Sequence, residues 1–185
     1  VRSFLGYMYA HPGKKLLFMG QEFGQFIEWN YQKELDWLLL GYEKHRQLKA
    51  YTAALNAFYR ATPALWEVDY SWEGFRWISA DDADNSVIAF ERLDAKGRGI
   101  IAVFNLTKMY RGLYRIGVPK SGRYEKVFDS DAAEVGGAGT AAGRVFESER
   151  VPMHGLPHSV ALELAGYSAI FLRRLPREKK NGSLQ

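Results

Sequence analysis

Residues 159–164 read Ser159-Val160-Ala161-Leu162-Glu163-Leu164, and this stretch decides the class of the fold. Val160, Leu162 and Leu164 fall on one side of an extended chain, and Ser159, Ala161 and Glu163 on the other. A period of two is the mark of a strand with one face buried. Working outward, the same reading applies to residues 75–77, 86–92, 99–105, 114–118, 123–129 and 168–173. Asp84-Asn85, Lys96-Gly97, Lys120-Ser121-Gly122 and a glycine-rich loop at 136–143 separate these runs as turns. Short strands at this spacing predict an antiparallel β-sandwich over residues 65–175. Within it Trp66, Trp72 and Trp77 are expected in the core, and Pro157 makes His154 and His158 a turn before a strand, not a metal pair.

Before Pro63 the period is different. Leu48, Tyr51, Leu55 and Phe58 recur at three and four residues, which predicts an amphipathic helix over 44–61, and Pro63 ends it. Residues 2–10 read as the last turns of another helix, stopped by His11-Pro12-Gly13. The apolar run Leu16-Leu17-Phe18-Met19, starting after Lys15, is the kind that forms a strand buried on both faces of a parallel sheet. Helix, tight turn and buried strand belong to an α/β barrel or a doubly wound sheet. A loop over 20–43, too aromatic for disorder and too long to be a simple connection, follows. The expected organisation is therefore α/β plus all-β: residues 1–64, residues 65–175, and a basic disordered tail at 176–185.

The 185 residues carry no cysteine, which excludes disulfide scaffolds, thiolate zinc sites and cysteine nucleophiles. A net charge of +4 invites a nucleic-acid reading. Arg173, Arg174, Arg177, Lys179 and Lys180, opposed only by Glu178, account for all of it, so the excess is a solvated tail and neither nucleic acid nor membrane is expected as a partner. No apolar run approaches the roughly 20 residues that span a bilayer. Val1 leads directly into Phe4-Leu5-Gly6-Tyr7-Met8-Tyr9 without a polar leader, so the chain is expected to be truncated, and the lack of disulfides suits a reducing cytoplasm.

Several strings taken together carry a resemblance. His11-Pro12-Gly13-Lys14-Lys15-Leu16-Leu17-Phe18-Met19-Gly20, followed by Glu22-Phe23-Gly24-Gln25, resembles the last barrel strand of bacterial glycogen (1,4-α-glucan) branching enzymes. Trp29-Asn30 and Leu35-Asp36-Trp37 resemble the loop after that strand, and Asn56 with Tyr59-Arg60 the last barrel helix. Gly74-Phe75-Arg76-Trp77, Asp81-Asp82, Ser86-Val87, Tyr114-Arg115-Ile116-Gly117-Val118, His154-Gly155 and Pro157-His158-Ser159 then follow in family order. Gln21, Phe26-Ile27 and Lys108-Met109-Tyr110 depart from the pattern.

The resemblance implies the last βα unit of a (β/α)8 barrel followed by a C-terminal all-β domain. It implies a retaining transferase, without cofactor or metal, that cleaves α-1,4-glucan chains and moves them to a 6-hydroxyl. Retention needs two carboxyls roughly 5–5.5 Å apart. In the family both lie on earlier strands, so no catalytic residue is expected here and the chain alone is expected to be inactive. Its partners would be the rest of the barrel and α-glucan. The substrate-contact residues implied are Glu22, Phe23, Gln25, Trp29, Asn30, Asp36 and Trp37. Glu22 is expected to orient neighbours instead of acting as an acid, because active sites sit past barrel strands but the family's acids lie elsewhere. Trp29 and Tyr31 are read as stacking platforms or loop packing, Trp37 as packing after an Asp36 cap, and Asn30 and Asp36 as partners of sugar hydroxyls or backbone caps. A related α-amylase-family hydrolase fragment and a non-catalytic glucan-binding β-domain are the alternatives.

Overall fold

The computed structural model describes residues 1–176; the tail expected at 176–185 lies, from residue 177 on, outside the described residues. Two helices, α1 (Arg2–Ala10) and α2 (Glu43–Ala61), precede eight strands. These are β1 (Phe75–Asp82), β2 (Val87–Leu93), β3 (Gly99–Asn105), β4 (Arg111–Val118), β5 (Arg123–Asp129), β6 (Val145–Glu147), β7 (His158–Leu164) and β8 (Ser168–Arg174). Every strand pair is antiparallel. The large sheet runs β1-β2-β3-β8-β5-β6, and β4 pairs with β7 in a small second sheet.

The all-β expectation for the second part of the chain holds, and side-chain parity explains the layers. Val87 and Ala89 of β2, Ile101 and Val103 of β3, and Ile170 and Leu172 of β8 face the small sheet, where Ile116, Val160, Leu162 and Leu164 meet them. The opposite residues of the same strands, Phe90, Ile100, Ala102, Phe104, Ala169 and Phe171, form a second core with Ala10, Ala64 and Leu65. The central strands are thus buried on both faces, which is why β2 and β3 read as nearly continuous apolar runs while β7 alternates. Phe90 stacks on Phe104 at 5.6 Å, and Phe58 of α2 stacks on Phe128 at 4.9 Å. Gly6 lets α1 approach the sheet, since a Cβ there would lie 2.8 Å from that of Ala169.

Three details differ from expectation. The run after Lys15 forms no strand: residues 16–18 have no regular structure, Met19 enters a turn with φ 29°, and Leu16 is 71% exposed. A parallel-sheet strand takes its hydrogen bonds from flanking strands, and none lies beside it among the described residues. Trp66, Trp72 and Trp77 are on the surface, Trp72 being 87% exposed. Trp72 belongs to a short turn, and Trp77 lies on the edge strand β1, edge-on to Phe75 and Phe90 without a layer above it. β6 was not expected; it is three residues long and follows the glycine-rich loop.

Candidate functional site

The loop over 20–43 is folded onto α2 by a few strong anchors. Gly20 has φ 86° and accepts hydrogen bonds from the amides of Phe23 and Gln25, at 3.2 and 3.0 Å. A side chain at Gly20 would meet Gln25 at 2.9 Å, so the turn requires glycine. The Phe23 ring is fully buried, its carbonyl accepts from Nδ1 of His45 at 2.7 Å, and the carbonyl of Glu22 accepts from Thr52 Oγ1 at 3.2 Å. Before the loop, Lys15 donates from Nζ to the carbonyls of His11 and Gly13 and lies 5.5 Å above the Tyr59 ring. Burial pushes its pKa down to about 8, opposed by Asp69 and reinforced by Arg92.

The seven expected contact residues divide into anchors and an exposed set. Phe23 is an anchor, and Trp37 packs against it with ring centroids 5.3 Å apart, while Nζ of Lys49 lies 5.9 Å from the centroid of the Trp37 ring. Gln25 is also internal: its Oε1 accepts from the Asp36 amide at 2.8 Å and its Nε2 donates to the Ile27 carbonyl at 3.2 Å. Asn30 caps backbone, with Oδ1 accepting from the Gln32 amide at 2.9 Å. Asp36 precedes the turn Trp37–Gly41 as expected but makes no side-chain cap. Its carboxylate and that of Glu22 accept no hydrogen bond and join no ion pair among the described residues.

Trp29 is 51% exposed. Phe18 meets it edge-on at 5.5 Å and Tyr31 lies 6.3 Å away, so the indole is braced by two rings while about half of it stays open. The loop therefore presents an aromatic face (Trp29, Tyr31) and, among the described residues, four unpaired carboxylates, the half-buried Glu22 and Asp36 and the exposed Glu28 and Glu34, a combination that suits a ligand with apolar ring faces and hydroxyl donors. Phe26 and Leu38 are also exposed. His154 sits in the expected turn: its φ is 49° and its Nδ1 accepts from the Gly117 amide at 3.2 Å.

Sequence reasoning missed a second feature, the adjacent charges Glu91 and Arg92 inside the otherwise apolar strand β2. Arg92 points to the helical side, where it donates to the carbonyls of Ala10 and Gly74. Glu91 points into the sandwich and has no such set of partners. The available signal was a charged pair within a run that otherwise reads as core.

Residues 77–174 match the family model for the alpha amylase C-terminal all-beta domain. Among curated proteins the chain is similar to the 1,4-alpha-glucan branching enzyme GlgB of Halothermothrix orenii, 45% identical over 176 residues, covering 95% of this chain and 28% of that protein. The enzyme of the same name from Nocardia farcinica is 45% identical over 93% of this chain and 23% of its own length. That from Aquifex aeolicus is 45% identical over 94% and 28%. The chain thus spans about a quarter of the length of these relatives. Among solved structures, the catalytic module of the glycogen-degrading pneumococcal virulence factor SpuA superposes with a TM-score of 0.63 at 14% identity, over 95% of this chain and 31% of that one. An alpha-amylase from H. orenii gives 0.57 at 17%, over 94% and 35%. At these identities the structural likeness concerns the fold.

Proposed function

The chain belongs to the family of alpha-amylase C-terminal all-beta domains, and on that premise we propose that it is the closing part of a 1,4-α-glucan branching enzyme. The observation that carries this reading is the 45% identity to enzymes of that name over 95% and 94% of this chain, which extends well beyond the β-domain. The enzyme would cleave an α-1,4-glucan chain and transfer it to a 6-hydroxyl, in the cytoplasm.

Residues 1–64 supply the last unit of the (β/α)8 barrel in this account. Its support is the order helix, apolar run, long loop, helix, with Leu16 and Phe18 exposed where flanking barrel strands would cover them. Residues 65–175 are the C-terminal domain, and the second core, which joins Ala10 and Ala64 to the large sheet, holds the two parts together.

The division of labour follows from the side chains. The bond-breaking carboxyls come from outside this chain. Its own contribution is to position glucan: Trp29 stacks a pyranose ring, Asp36 and Glu22 accept sugar hydroxyls, and Phe23, Gln25, Asn30 and Trp37 hold the loop in shape. The purified chain, incubated with amylose and then treated with a debranching enzyme, is expected to release no shortened chains. New α-1,6 linkages made by the chain alone would overturn this division.

A further inference from the structure

The chain turns sharply at the end of the apolar run. Met19 has φ 29° and Gly20 has φ 86°, two successive left-handed residues. Glycine adopts that region freely, whereas methionine is strained there, so other bonds must offset the strain. Gln21 supplies two of them: its amide donates to the Phe18 carbonyl at 3.1 Å, and its side-chain Oε1 accepts from the Phe18 amide at 2.9 Å. Both backbone polar groups of Phe18 are thereby bound by one residue. The Gln21 carbonyl in turn accepts from the Gly24 amide at 3.2 Å.

Behind this turn the chain is firmly held, since Gly20 accepts from Phe23 and Gln25, and Phe23 is fixed to α2 through its carbonyl. In front of it stands Phe18, 45% exposed, whose ring meets the Trp29 indole edge-on. Trp29 makes no hydrogen bond among the described residues, and its other ring neighbour, Tyr31, is itself 78% exposed. Phe18 is therefore the contact through which the held turn orients the indole.

We propose that Gln21 is a positioning residue for glucan: its side-chain carbonyl fixes Phe18, and Phe18 sets the angle at which the Trp29 ring meets a sugar. Gln21 is exposed, and its bond to Phe18 replaces one that water would otherwise make. The net contribution of such a bond to stability is small, so its effect falls on orientation. Stacking a pyranose on an indole depends on the plane of the ring, and a misaligned Trp29 loses part of that contact. The identity of the ligand as a glucan rests on the branching-enzyme reading; the mechanical link from Gln21 to Trp29 does not.

Variants of the full chain test this by titration with maltoheptaose, read from the indole N–H resonance of Trp29 and from calorimetry. Gln21→Met keeps the length of the side chain and removes its oxygen. Affinity is expected to fall roughly threefold, with the melting temperature nearly unchanged. Gln21→Glu keeps an acceptor in that place and is expected to stay within about a factor of two of the unaltered chain. In a Trp29→Ala background, Gln21→Met is expected to cost nothing more, because its route to the ligand is gone. Affinity untouched by Gln21→Met, an equal loss with Gln21→Glu, or an undiminished loss in the Trp29→Ala background each overturns the inference and leaves the branching reading in place. A Trp29 resonance that does not respond to maltoheptaose overturns the inference together with the glucan role of the loop.

Discussion

Arg92 and Asp69 form an ion pair inside the protein, Nη2 to Oδ1 at 2.6 Å, with side chains 0% and 5% exposed. The same guanidinium donates from Nη1 to the Ala10 carbonyl at 2.6 Å and from Nε to the Gly74 carbonyl at 3.1 Å. One side chain thus ties the end of α1, the connection after α2 and the entry to β1. Asp69 meets the charge, and the two carbonyls each take one further N–H, from Nη1 and from Nε.

Removing one member of that pair leaves a buried charge behind. Arg92→Leu or Asp69→Leu is expected to cost about 3–5 kcal/mol. The double variant should lose less than the sum of the two, with a coupling above about 1 kcal/mol. Urea denaturation of the four proteins checks this; strict additivity would mean that the pair carries no special energy.

Acid should act first through the carboxylates that the fold holds ionised. Burial raises the pKa of Asp82, but hydrogen bonds from Tyr114 and Asn85 outweigh it and the net shift is downward. Asp94 and Asp131 are lowered likewise, against burial, by their own donors. A lowered carboxylate contributes stability that is present above its unfolded pKa and is lost as pH falls through the folded value. Tyr114→Phe is therefore expected to cost about 1.5–3 kcal/mol at pH 7 and progressively less below pH 4. Denaturation curves at the two pH values measure the difference, and an equal cost at both would separate Tyr114 from the charge of Asp82.

Phe23 anchors the loop, so Phe23→Ala should cost about 3–5 kcal/mol. Its removal also frees the Trp37 ring, and tryptophan emission should shift to the red before the main unfolding transition. A full loss of stability without an emission change would place the anchoring energy elsewhere.

Trp29→Ala is different, because the indole is half exposed and braced only by Phe18 and Tyr31. The melting temperature should move little, while affinity of the loop for maltoheptaose should fall roughly three- to tenfold. Isothermal titration distinguishes this from packing, which would lower the melting temperature and leave affinity alone.

How much was legible in the sequence depended on which partners each segment needs. Strands 99–105 and 123–129 coincide with β3 and β5, and the helix expected over 44–61 is α2, because their periodicities are answered by layers within the chain. The run after Lys15 carries the composition of a buried strand, yet a strand exists only with neighbours to pair with. Trp66, Trp72 and Trp77 carry the signature of core residues, and nothing in their spacing reveals that β1 is an edge strand. In the loop, residue types announced an aromatic and carboxylate surface, but Gln25 and Asn30 spend their hydrogen bonds on backbone, and only coordinates divide anchors from open groups. Arg92 was hidden for the same reason: a charge in an apolar strand is visible in sequence, whereas Asp69 and the carbonyls of Ala10 and Gly74 that receive it are not.

The most direct test of the central claim is an exchange. Replacing the matching segment of the Aquifex aeolicus branching enzyme with this chain, residues 1–176, and measuring new α-1,6 linkages in amylose by proton NMR asks whether this chain completes that active site. The folded hybrid is expected to form branches, and Trp29→Ala in the hybrid to lower kcat/KM without unfolding it. A folded hybrid that only liberates reducing ends, or that forms no branches, would mean that this chain is not part of a branching enzyme.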